Sequence, residues 1–71
     1  MKSYDFAELF LNSNGMRGER ELREYVANGG DLNERDRCGM NAMDIAMATS
    51  LQDKNMRCVA PKLVAIIKSL H

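Results

Sequence analysis

From Asn28 to Ala46 the chain reads Asn-Gly-Gly-Asp-Leu-Asn-Glu-Arg-Asp-Arg-Cys-Gly-Met-Asn-Ala-Met-Asp-Ile-Ala, a stretch that permits few folds. Gly29 and Gly30 stop any helix that precedes them, because a residue without Cβ enters the left-handed region at no steric cost. Between Asn33 and Gly39 the side chains are almost all charged or amide, so this segment projects into water. Asn41 is a good N-cap. Asp44, three residues on, can return a carboxylate to a free backbone N–H and favours the positive end of a helix. The stretch therefore predicts helix end, exposed loop and helix start, with the loop pinned on both sides.

Helical spacing organises what lies around it. Ser3 to Leu11 predicts a first helix, with Ser3 as cap, Asp5 in the first turn and Phe6, Leu9 and Phe10 on one face. Asn12 to Gly18, rich in Gly, Asn and Ser, reads as a loop. Glu19 to Asn28 predicts a second helix that buries Leu22, Tyr25 and Val26 and turns Glu19, Arg20, Glu21, Arg23 and Glu24 to solvent, as i, i+4 pairs. Asn41 to Ser50 predicts a third, with Met43, Ala46, Met47 and Ser50 inward and small alanines that let a neighbour approach. Met40, at the loop edge, is expected to be exposed. Leu51 to Ala60 reads as a polar connection, with Met56, Cys58 and Val59 tucked back onto the core. Pro61 suits the first turn of a final helix through Leu70, where its missing N–H is not needed.

Leu22, Tyr25 and Val26 align with Leu63, Ile66 and Ile67, an internal repeat. Gly29, Gly30 and Asn33 followed by Asp36, Gly39, Met43 and Ala46 resemble the junction between two ankyrin repeats, where Gly-Ala-x-x-Asn closes one unit and Asp-x-x-Gly leads into Thr-Pro-Leu-His-x-Ala. Asn41, Ala42 and Asp44 stand where Thr, Pro and His are usual, so the hydrogen bonding of that turn must be rebuilt by Asn and Asp or be absent. The loops at 12–18 and 51–60 are longer than the family's link. The resemblance implies an all-α fold of two antiparallel helix pairs stacked in an ankyrin-like arrangement, a single domain over residues 1–71, and a function in protein–protein binding.

Composition narrows the classes of function. A chain of 71 residues hides only about 60% of the surface its unfolded form exposes. Ten basic and ten acidic side chains cancel, which removes the general attraction for nucleic acid or anionic membranes. Nucleic-acid binding through Arg17, Arg20, Arg23, Arg35 and Arg37 is disfavoured by the interspersed acids. No apolar run approaches the roughly 20 residues of a membrane span. Two cysteines make no disulfide scaffold, and a basic-then-apolar leader is lacking, so a cytoplasmic location is expected.

Chemistry in the sequence is sparse. Cys38, Cys58 and His71 are the soft ligands, too few and too far apart for a structural zinc site, so neither metal nor cofactor is expected. A lone terminal histidine and capping aspartates do not compose a catalytic pair, and no enzyme is expected. Glu34, Arg35, Asp36, Arg37 and Met40, with Asp44 behind them, form the candidate partner-binding set, since Arg pairs bidentately with carboxylates and Met supplies apolar area. A solvated charged turn is the competing reading. Ankyrin arrays end in a polar cap, so the resemblance implies cover for the last helix by a second copy or another protein. Leu63, Val64, Ile66, Ile67 and Leu70 are then the self-association surface of a homodimer or scaffold. The expected function is a small inhibitor or adaptor that occupies a surface of a partner protein, such as a phage or bacterial inhibitor of a host enzyme.

Overall fold

The structure, a computed structural model, describes residues 1–52 and 58–70. Among these are four α-helices and no β-strand: α1 (Ser3–Asn12), α2 (Glu19–Ala27), α3 (Ala42–Gln52) and α4 (Val59–Leu70). The expectation for Met56 lies outside the described residues, as does that for His71.

Local hydrogen bonding explains where each helix starts and stops. Lys2, not Ser3, is the N-cap of α1, and its amide donates to Asp5 Oδ2 at 2.8 Å. With the carboxylate reaching back three residues, no capping hydroxyl is required, and Ser3 moves into the helix, where it is buried and its Oγ has no hydrogen-bond partner among the described residues. α1 and α2 end in the same way. The amide of Gly15 donates to the Phe10 carbonyl and that of Asn14 to Leu11; the amide of Gly30 donates to Tyr25 and that of Gly29 to Val26. Asn14 and Gly29, at φ 55° and 95°, supply the left-handed residue each ending needs. Asn14 to Gly18 is thus a built turn, closed further by the Arg17 amide on Ser13 Oγ at 2.9 Å.

Gly18 sets the distance between the first two helices. Its φ of +99° is a glycine conformation, and a Cβ there would lie 2.8 Å from both the Phe6 carbonyl oxygen and the Phe10 nitrogen. α2 therefore starts against the bare backbone of α1, with the Gly18 amide held by Glu21 Oε2 at 2.6 Å.

The core runs through all four helices. α1 touches α2, α3 and α4, α3 packs along α4, and α2 meets α4. Phe10 and Leu11 of α1, Leu22 of α2, Leu32, and Leu63 and Ile67 of α4 are buried together. α4 begins at Val59, so Pro61 falls in the first turn, where the helix leaves N–H groups unbonded in any case.

Three expectations about side-chain direction are corrected. α3 buries Ala42, Ile45 and Ala46, while Met43 and Ser50 are half-buried and Met47 is exposed. The helix is apolar nearly all round, so its spacing accommodates either stripe, and the close approach of α1 and α4 selects the slimmer, alanine-bearing one. Leu63, Ile66 and Ile67 of the expected self-association surface are buried in the chain's own core, because α4 turns them onto α1, α2 and α3; only Val64 and Leu70 of that set reach the surface, half-buried. Cys58 is exposed, whereas the adjoining Val59 is buried as expected.

Candidate protein-binding surface

The loop between α2 and α3 is braced by its own side chains. Asp36 Oδ1 accepts the amides of Cys38 at 2.8 Å and Met40 at 3.0 Å, and the Asp36 amide donates to the Met40 carbonyl at 3.0 Å. Gly39, at φ +77°, completes this tight ring by donating to the Asp36 carbonyl at 3.0 Å. Arg35 Nη1 crosses the base of the ring to the Gly39 carbonyl at 2.6 Å and to Asp44 Oδ2 at 3.3 Å. Closing the ring turns Met40 inward. Contrary to the expectation that it is exposed, Met40 is half-buried against the core.

Asn41 and Asp44 rebuild the start of α3 reciprocally. The Asp44 amide donates to Asn41 Oδ1 at 2.8 Å and the Asn41 amide donates to Asp44 Oδ2 at 3.3 Å, a capping box made of Asn and Asp. The hydrogen bonding at this turn is thereby supplied without Thr or His.

Glu34 works inside the fold. It accepts a short hydrogen bond from the Tyr25 hydroxyl, pairs with Lys2 Nζ at 3.3 Å and takes a long contact of 3.5 Å from the Ser3 amide. One carboxylate so ties the start of α1 to the end of α2 and the loop. Gly30 makes room for this arrangement, since a Cβ there would overlap the Tyr25 ring and lie 2.6 Å from the Tyr25 carbonyl oxygen. Phe6 flanks the same ring at a centroid distance of 5.5 Å.

The Tyr25–Glu34 contact shifts both groups. The hydrogen bond to Glu34, then burial and the Glu34 charge, push the Tyr25 hydroxyl up from 10.0 to about 12. The hydrogen bond from Tyr25, together with Lys2 and the Ser3 amide, holds Glu34 below its ordinary 4.5 against the opposing effect of burial. A lowered carboxyl stabilises the fold above 4.5 and loses that contribution as pH falls through its folded value. A raised phenol stabilises below 10 and loses it as pH rises toward 12. The clamp should be at full strength between these limits, and Glu34→Gln should return the Tyr25 titration toward 10. Ultraviolet titration of tyrosine checks this, and a Tyr25 midpoint unmoved by the substitution rejects it.

Of the six candidate partner-binding residues, Glu34, Arg35, Asp36 and Asp44 are engaged in intramolecular bonds and Met40 is packed inward. Arg37 remains, exposed at the tip of the loop beside the free thiol of Cys38. Its side chain borders a shallow depression also lined by Tyr4, Asp5 and Glu8 of α1 and by Asp36. Elsewhere Arg20 pairs with Glu24 at 3.2 Å, Arg23 with Glu19 at 3.1 Å and Arg35 with Asp44, which breaks up the arginine set that a nucleic acid would contact. Among the described residues no three His, Cys, Asp or Glu side chains are placed to hold a metal ion, and no helix is long and apolar enough to cross a membrane.

Comparison with known proteins shows no matching family model, curated protein or solved structure.

Proposed function

We propose that the chain is a small protein-binding module, an inhibitor or adaptor, that presents the Arg37–Cys38 tip to a partner protein and acts by occupying a surface on it. The observation that carries this reading is the division of labour in the loop. Asp36, Arg35 and Gly39 spend their hydrogen bonds fixing the turn, and the side chain they present, Arg37, has no ion-pair partner among the described residues. A tip already held in shape loses little conformational freedom on binding, and Arg is among the residues that dominate protein interfaces.

The ankyrin resemblance of residues 29–46 supports the same reading. A phage or bacterial inhibitor of a host enzyme is one form such a module takes.

The test is affinity capture from the native cell with tagged wild type, Arg37→Ala and Arg20→Ala. Loss of one guanidinium at an interface centre costs on the order of 2 kcal/mol, about thirtyfold in affinity. A protein retained by wild type and Arg20→Ala should be lost from Arg37→Ala, with helicity equal in all three. Equal retention by Arg37→Ala removes the tip from the interface.

A further inference from the structure

Asparagine is followed by glycine at two places in the chain, Asn14–Gly15 and Asn28–Gly29. Such a pair can react with itself. The glycine backbone nitrogen, once it gives up its proton, attacks the side-chain Cγ of the asparagine; the C–N bond of the side-chain amide breaks, ammonia leaves and a five-membered succinimide remains. Water then opens the ring at either carbonyl, which leaves aspartate or, with the backbone running through the side chain, isoaspartate. The sum is asparagine plus water giving the acid plus ammonia, with water as the only co-reactant. Glycine favours the step because no Cβ shields the attacking nitrogen. The other asparagines, Asn12, Asn33, Asn41 and Asn55, each precede a residue that has one.

The fold separates the two pairs. Both asparagines are exposed, and both attacking nitrogens are withheld as hydrogen-bond donors, Gly15 to the Phe10 carbonyl at 2.8 Å and Gly29 to the Val26 carbonyl at 3.0 Å. What differs is the cost of release. Gly15 is half-buried, and a Cβ there would lie 3.5 Å from the ring of Phe10, one of four buried residues of α1. The Arg17 amide on Ser13 Oγ closes the same turn from outside. Gly29 is exposed, a Cβ there would meet nothing within 4 Å beyond its chain neighbours, and the helix it terminates has one buried residue, Leu22, two turns upstream. Helix ends fray, and fraying costs less where it uncovers less apolar surface. We infer that Asn28 is a site of self-modification, converted to aspartate and isoaspartate ahead of Asn14 as the last turn of α2 frays.

The product acts back on the fold. Either acid adds a negative charge at the C-terminal end of α2, where the carbonyls already form the negative pole and no basic residue stands in the last turn. Isoaspartate also lengthens the backbone by one carbon between Tyr25 and Glu34, whose side chains tie α2 to the loop. The modification thus loosens the helix end whose fraying permits it. It concerns that end alone and stands whether or not the Arg37 tip binds a partner.

The test is peptide mapping by mass spectrometry of the full chain during incubation in mildly alkaline buffer, once folded and once in concentrated guanidinium chloride. Cleavage after Arg17, Arg23 and Arg35 puts Asn14 and Asn28 on separate peptides, and fragment masses locate the converted residue. In the folded chain Asn28 should convert at least about tenfold faster than Asn14, equivalent to about 1.4 kcal/mol less for opening. In denaturant, where both nitrogens are free, the two rates should become similar. Equal rates in the folded chain overturn the inference, as does Asn14 converting first or an Asn28 that stays intact until the chain is unfolded. An Asn28 preference that persists undiminished in denaturant also overturns it, since that preference would belong to the local sequence and not to the fold.

Discussion

A Gly18→Ala chain should lose roughly 2–5 kcal/mol of folding stability, most of what a domain of this size possesses. Two independent costs combine at this one position. The backbone angle of +99° is one that L side chains rarely adopt and only with strain, and the added methyl would sit 2.8 Å from backbone atoms of Phe6 and Phe10 that no rotamer change can move. α2 must then back away from α1, which withdraws Leu22, the one buried residue of α2, from the core it shares with α1. Circular dichroism during urea titration reads the effect directly, with the wild type giving a cooperative transition and the variant largely unfolded before denaturant is added. If the two midpoints coincide, α2 does not rest on the α1 backbone.

Leu63→Ala is the second large effect, about 2–5 kcal/mol, because the removed atoms are fully buried and the surrounding helices collapse only in part. It also separates two roles for α4. A residue of the chain's own core lowers stability equally at every protein concentration, whereas an interface residue lowers it only where the oligomer is populated. Thermal melts of Leu63→Ala at two concentrations a hundredfold apart should be displaced from wild type by the same amount. A displacement confined to the higher concentration would return Leu63 to an interface between copies.

Helix positions were legible in the sequence because their signals are local. The Gly29–Gly30 stop, the Asn41 and Asp44 start and Pro61 near the head of α4 each act within a few residues, and the observed helices fall within about two residues of the expected bounds. Side-chain direction was legible only where polar and apolar residues alternate cleanly. In α2 the charged residues leave one inward stripe, and Leu22 is buried as expected, while Tyr25 and Val26 of the same stripe are half-buried. α3 carries Ala42, Met43, Ile45, Ala46, Met47 and Ala48, so its sequence does not say which side faces inward, and Met47, expected inward, is exposed.

The candidate site was legible as a place but not as a set of roles. Charged residues between two capped helices mark an exposed loop, yet Arg35, Asp36 and Arg37 look alike as letters. Which of them braces the turn depends on a backbone ring five residues around and on Asp44 nine residues away. Glu34 looks like a surface residue in the sequence because its partners, Lys2 and Tyr25, come from other segments. One signal was available: Asp two residues before a following amide commonly closes a turn on itself, which marks Asp36 as structural.

The single anchor of α2 has a consequence in time. Leu22 is the only fully buried residue among its nine, while α3 and α4 share several. α2 should therefore be the first layer to lift away and the first to exchange its amide hydrogens, opening as a unit while α1, α3 and α4 stay closed. Since the Tyr25–Glu34 contact leaves with it, each such excursion also slackens the entry to the loop, while the Asp36 ring that shapes the Arg37 tip, built within residues 35–44, stays closed.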